Sequence, residues 1–309
     1  MMKLKYSHCS RAVLLSFLLA DCGAALAATS GTHYSIGTEG VEAGTPPPPG
    51  MHYRMYNTWY DAGRSMDDNG DELPMDFNLE VYAQAHRFVN VTDTKIFGAN
   101  WAYNLIVPVV KKEIAVGGAF DRSSDFEVAD IVIEPLALFW YTPKYDAILA
   151  LAAIAPTGAY SADEPESVGL GYWSGMITAG GTYFFDEDRS WSFSTLSRTL
   201  FHGKQDDTDV RPGMEFTLEG GVGKNMMLDD HWLIRPGINY AASWQISDDN
   251  RDGPGTVKDQ RKQVFGVGAE VNLMYLPWLL QANLRYLNEF GAENTVEGDC
   301  ITLTFTKSF

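Results

Sequence analysis

The stretch WLIRPGINYAASWQI, Trp232 to Ile246, decides the fold. Trp232, Ile234, Ile238, Tyr240, Ala242, Trp244 and Ile246 fall on one face of an extended chain, and Arg235, Gly237, Asn239, Ser243 and Gln245 fall on the other. A period of two is the mark of a strand, because successive side chains point to opposite faces. One face is greasy and carries tryptophan at both ends; the other is polar. Trp232 and Trp244 stand twelve residues apart. At about 3.3 Å per residue and a tilt near 40°, that separation projects to about 30 Å, the height of a lipid-facing band with its aromatic girdles.

Working outward, the same pattern recurs. Phe265, Val267, Ala269, Val271, Leu273 and Tyr275 oppose Gly266, Gly268, Glu270 and Asn272. Leu280, Ala282, Leu284, Tyr286 and Phe290 oppose Gln281, Asn283, Arg285 and Glu289. Upstream, Phe77, Leu79, Val81, Ala83 and Ala85 alternate with Asn78, Glu80, Tyr82, Gln84 and His86. About a dozen β-rich segments bounded by turn residues emerge: 51–60, 77–91, 99–110, 126–141, 145–156, 170–185, 190–202, 211–226, 231–247, 261–275, 277–290 and 298–309. Their connections alternate. The long ones are 61–76, 111–125, 157–169, 203–210, 248–260 and 291–297; the short ones are 92–98, 142–144, 186–189, 227–230 and a turn at Leu276-Pro277. With both ends of the barrel in the periplasm, every long connection falls outside, as an outer-membrane barrel requires. The last segment alternates Ile301, Leu303 and Phe305 with Thr302, Thr304 and Thr306 and ends in Phe309, like the terminal assembly strand of such barrels.

Charge and composition exclude other classes. Met1 to Ala27 has basic residues, an apolar run from Ala12 to Ala20 and the exit Ala25-Leu26-Ala27, the layout of a cleaved signal peptide. Leu19-Ala20-Asp21-Cys22 is set aside as a lipid-attachment site because Asp21 stands where a small uncharged residue belongs. The whole chain of 309 residues carries a net charge of −17; without the leader, 20 basic residues face 39 acidic ones, a net −19. So acidic a chain repels polyanions, which excludes nucleic acid as a partner. Cys300 alone remains after the leader, leaving no intramolecular disulfide. Nothing beyond Ala27 approaches the roughly 18 apolar residues of a membrane-spanning helix. Residues 28–50, rich in Gly, Thr and Ser and ending in Pro46 to Pro49, show no periodicity and read as a flexible, exposed lead-in.

Several stretches resemble the bacterial outer-membrane family named for the meta-pathway of phenol degradation. They are IFGANWAYNLIVPVV (Ile96 to Val110), FEVADIVIEPLALFW (Phe126 to Trp140), IAPTGAY (Ile154 to Tyr160), LGYWSG (Leu170 to Gly175), RPGMEFTLEGGVGK (Arg211 to Lys224) and LRYLNEFGAENTVEG (Leu284 to Gly298). Two positions depart from the pattern: Ala129 replaces a usual glycine beside Asp130, and Lys307 replaces a usual apolar residue. The resemblance implies a barrel in the outer membrane and a role in the transport of aromatic or other hydrophobic compounds.

Chemical motifs weigh against catalysis. Asp248-x-Asn250-x-Asp252-Gly253 with Asp259 approaches a calcium loop, but strands flank it and Gly255 and Asp259 break the pattern, so it reads as a solvated hairpin loop. In the similar run Asp67, Asn69 and Asp71, Glu72 takes the place of the required glycine. Gly220-Gly221-Val222-Gly223-Lys224 lacks the earlier glycine and the Ser or Thr of a phosphate loop; strand glycines allow close approach instead. The six histidines show no metal-ligand spacing, and no GxSxG elbow occurs. What remains is an inward polar set, with Glu80, His86, Glu215, Glu219, Arg235, Glu270, Arg285 and Glu289 as lumen-lining, substrate-binding candidates, and Asp130 and Glu134 beside them. Arg235 and Arg285 flank the strand of Glu270, a setting for cross-strand ion pairs.

The reading is therefore an all-β protein: residues 51–309 form a transmembrane, antiparallel, up-and-down β-barrel of about 12 strands in the outer membrane. Eight-stranded barrels are filled and 16–18-stranded ones are open, so twelve imply a narrow pathway partly closed by an inward loop. The expected function is passive passage of small, aromatic or hydrophobic solutes, with no catalytic residue, metal or cofactor. The expected partners are the lipid bilayer, the outer-membrane assembly machinery and the solute. Two alternatives stay open: a non-transporting surface scaffold for adhesion, and a membrane-embedded hydrolase built on a Ser–His–acid cluster that spacing alone does not reveal.

Overall fold

The structure, a computed structural model, describes residues 31–208, 210–251 and 260–309. The leader and most of the Asp248–Asp259 run lie outside the described residues. Twelve long strands build the wall: β1 (Gly50–Ser65), β2 (Phe77–Ile96), β3 (Ala99–Val116), β4 (Ile131–Tyr141), β5 (Tyr145–Ala155) and β6 (Ser174–Phe184). They continue with β7 (Trp191–His202), β8 (Glu215–Lys224), β9 (Trp232–Gln245), β10 (Gln263–Tyr275), β11 (Leu280–Glu293) and β12 (Val296–Ser308). Each pairs antiparallel with its sequence neighbours, and β12 returns to β1 with Ser308 opposite His52, so the sheet closes without an edge. Closure satisfies every strand's backbone groups internally, the condition for crossing lipid. No helix among the described residues is long and apolar enough to cross a membrane.

The backbone of Phe309 donates to Met51, placing the end of the chain beside the start of β1 on the rim of short turns. One such turn, Phe97-Gly98, holds both residues at positive φ (51° and 80°), which suits the twist of a two-residue hairpin. In another, Ser190 donates through its hydroxyl and backbone, and Trp191 through its backbone, to Asp186, holding that carboxyl below the usual aspartate range. The long connections 66–76, 117–130, 156–173, 203–214 and 246–262 share the opposite rim. The expected sixth, 291–297, is instead a two-residue turn at Asn294-Thr295. β11 and β12 stay paired with their neighbours right up to this turn, with Glu293 opposite Gln263 and Val296 opposite Ser65.

The faces sort largely as alternation requires. Ile238 (64% exposed), Val267, Leu284 and Ile301 point outward, while Asn239, Glu270, Arg285 and Thr302 are buried inside. Aromatic chains ring both ends of this apolar belt: Phe216, Trp244, Phe265 and Phe290 toward the loops, and Trp232, Tyr275 and Trp278 toward the short turns. β2 is the exception. Phe77 and Leu79 pack inward with Ala62, Ile114, Val116 and Val296, covered by Met75 and Phe120 from the loops. The outer side of this stretch rises above the girdle residues Trp59, Tyr82 and Phe126, where the surroundings are water.

A second difference concerns residues 32–49. They are not an exposed lead-in. Ile36, Glu39 and Val41 are buried, and the segment threads the lumen from the loop side to the short-turn side before entering β1.

Candidate functional site

The site is the lumen together with this inner segment, which acts as a plug. Its contacts descend in order. Near the loop rim, Thr32 donates to Glu215 (2.6 Å), and His33 bridges Asp130 (2.9 Å) and Ser174 (2.8 Å). Midway, Tyr34 meets both Glu219 and Arg198. Glu39 accepts from Arg54 (3.2 Å) and from Tyr56 (2.7 Å), while its backbone N–H donates to Glu219 (3.2 Å). The carbonyls of Gly37 and Thr38 take up Arg285 (3.2 and 2.6 Å). Val41 seats in a hollow floored by Gly221, Gly223 and Gly237; a Cβ on Gly221 would come within 2.8 Å of Val41 Cγ2, and one on Gly223 would collide with Cγ1. The glycine run that mimics a phosphate loop thus exists for close approach. Near the periplasmic rim, Glu42 pairs with Arg235 (2.8 Å) and accepts from Asn225 (2.9 Å). His52 of β1 is within hydrogen-bond distance of the Pro48 carbonyl (2.8 Å).

Charge explains why an acidic, glycine-rich strip settles here. Around the plug the wall presents Arg54, Arg87, Arg198, Arg235 and Arg285, against its own carboxylates Glu134, Glu219 and Glu270. Glu39 and Glu42 supply the two missing anions. Five cations then face five carboxylates, which is what burial of charge demands. The plug completes the electrostatics of the wall.

Of the eight sequence-derived candidates, six face the lumen and two do not. Glu215, Glu219, Glu270, Arg285 and Glu289 are buried inside, and Arg235 is largely buried there. Glu270 and Arg285 stand opposite each other in register and pair at 2.7 Å, as expected; Arg235 turns instead to Glu42 of the plug. Glu289 accepts from Tyr60 (2.7 Å) and from the backbone of Gly298 (3.0 Å). Glu80 and His86 lie on the outer surface. Glu80 is exposed opposite Asp61, above the girdle, and His86 within the belt is satisfied by Tyr53 (2.7 Å). Their strand inverts its polarity because its upper inner face is covered by loops.

Sequence reasoning missed His33, Tyr34, Glu39 and Glu42, which lie in an aperiodic stretch. Arg54, Arg87 and Arg198 carried a usable signal, since arginine at lipid depth must find an aqueous or paired interior. The structure also joins Asp130, His33, Ser174 and His202 in one hydrogen-bonded chain, with Ser174 Oγ 2.8 Å from His33 and 2.7 Å from His202. These are the residue types a hydrolase needs. Yet Ser174 is buried, its hydroxyl is enclosed between two imidazoles, and it does not border the adjoining cavity. A nucleophile must reach its substrate; this chain latches the head of the plug to β4, β6 and β7.

Above the plug head lies a cavity of about 330 Å³. Leu79, Val81, Ala83, Pro108, Val110 and Val296 give it an apolar wall, and Lys112, Asp130, Glu215 and Glu289 border it.

A closed twelve-stranded barrel with a lipid-facing belt, aromatic girdles and a plugged lumen is an outer-membrane β-barrel. The chain belongs to the family described as "Putative MetA-pathway of phenol degradation", whose model matches residues 62–305. Among solved structures it is similar to the COG4313 outer membrane channel from Pseudomonas putida F1, at 15% identity, covering 90% of this chain and 100% of that one with a TM-score of 0.74. It is also similar to the transport unit of the autotransporter AIDA-I from Escherichia coli, at 8% identity, covering 94% and 97% with a TM-score of 0.51. No curated protein matches.

Proposed function

We propose that this barrel lets small aromatic or otherwise apolar solutes cross the outer membrane passively. The observation that carries the reading is the apolar cavity within a lumen whose plug level is lined by ion pairs. An interior built only to be filled has no use for a hollow of aliphatic side chains, whereas small-molecule sites combine such a wall with a few polar groups. Membership of a family named for phenol degradation and likeness to an outer membrane channel support the same reading. Solute enters from the loop rim, rests above Ile36 and leaves alongside the plug. No bond is made or broken, and no metal or cofactor takes part. The leader directs export and is removed, and the terminal strand ending at Phe309 engages the assembly machinery.

Uptake of a radiolabelled single-ring aromatic into lipopolysaccharide-containing vesicles tests this. Vesicles carrying the protein should fill several-fold faster than empty ones, with the initial rate proportional to protein content. Equal rates would refute passage and leave the surface scaffold, whose acidic 66–76 loop would then be the place to seek a partner.

A further inference from the structure

We infer that the cavity above the plug is a binding site for a single-ring apolar acid, whose carboxylate is held by Lys112. The inference rests on the passage reading and narrows its solute class.

Lys112 lies on β3 with its side chain buried, yet among the described residues no carboxylate stands within ion-pairing distance of it. Its ammonium donates to one partner, the carbonyl of Ser167 (3.0 Å), at the roof of the cavity. An ammonium has three donors, so two remain uncommitted. Glu166, the acid whose field reaches Lys112, lies beyond pairing range and keeps one buried oxygen without a hydrogen-bond partner. A buried charge without a counterion is costly, and an incoming carboxylate relieves it.

The acids bordering the cavity are already engaged. Asp130 accepts from His33 and from the backbones of Gly158 and Leu170. Glu215 accepts from Thr32 and lies 3.9 Å from His202. Glu289 accepts from Tyr60 and Gly298. These acids are each held by protein donors, while Lys112 keeps donors for the acceptor oxygens of an incoming head group. The volume sits at the lower end of the roughly 300–1,000 Å³ range of small-molecule sites, ample for one aromatic ring.

Equilibrium binding of radiolabelled benzoate to the refolded protein in lipid nanodiscs tests the assignment, with toluene as the uncharged control. Benzoate should bind saturably at one site. Lys112→Met, which keeps the aliphatic stem, should weaken benzoate by about tenfold or more, the scale of a charge-assisted hydrogen bond, and leave toluene unchanged. Lys112→Arg should retain benzoate within a few-fold. Toluene binding by Lys112→Met verifies that this variant is folded. Benzoate held equally by Lys112→Met and the unaltered protein overturns the assignment. Saturable toluene without benzoate overturns it too, while sparing passage; absence of both ligands, with no uptake, removes both readings.

Discussion

Glu219 has no exposed surface, and its carboxylate meets Arg198, Tyr34 and the backbone of Glu39. Breaking one half of such a buried pair costs more than the pair itself contributes, because an uncompensated charge is left behind. Arg198→Met should therefore destabilise the barrel by about 3–5 kcal/mol. The double variant Arg198→Met/Glu219→Gln should recover most of that loss. Urea unfolding from lipid vesicles measures both, and a double variant no more stable than the single one would refute the pairing. At this scale Glu270 and Arg285 were legible because they share a face with glycine or polar residues and alternate against apolar ones, leaving one wet face. Glu80 was not. It looks like an inward acid until one knows that β2 rises above the girdle, where Phe77 and Leu79 are the covered face. Local alternation reports that two faces differ, and only the surroundings say which one is dry.

The plug is the element that sequence periodicity does not reveal. Residues 32–49 make no ladder of their own, and their partners stand as far as 248 positions away, as between Gly37 and Arg285. Nothing local encodes such contacts. The glycine hollow under Val41 and the surplus of lumen arginines become meaningful only when strands from across the barrel are assembled. Removing the plug tests its two roles together. Without residues 32–46, Arg54, Arg87, Arg198, Arg235 and Arg285 face Glu134, Glu219 and Glu270, an excess of two positive charges at the narrow level. Rings of one sign set the selectivity of a pore. In planar bilayers the deletion should raise single-channel conductance several-fold and move the reversal potential in a salt gradient toward chloride. A larger conductance with cation preference would show that the plug blocks the pore without balancing its charge.

For the whole molecule, alternation of side chains and sorting of loops between rims pointed to the same closed ring, two signals with different physical origins. One reflects lipid outside and water or ion pairs within; the other reflects insertion from the periplasm, which keeps the turns on that side short. The two agree over twelve strands, failing in length only at the Asn294-Thr295 turn, where paired strands run on in place of a loop. If lipid is what covers the outer face, the penalty for a charge there must depend on depth rather than on exposure. Ile238 is 64% exposed and lies midway between Trp232 and Trp244; Met227 is 54% exposed but sits beside the short turn below Trp232. Arginine at the midplane of a barrel costs about 2–4 kcal/mol and near an interface about 0–1. Ile238→Arg should therefore lower the unfolding free energy in phosphatidylcholine vesicles by the larger amount and Met227→Arg by the smaller, although both positions are more than half exposed. Equal penalties at the two sites would mean that the outer face meets a protein partner or water, and that the belt between the tryptophans is not the height of a bilayer.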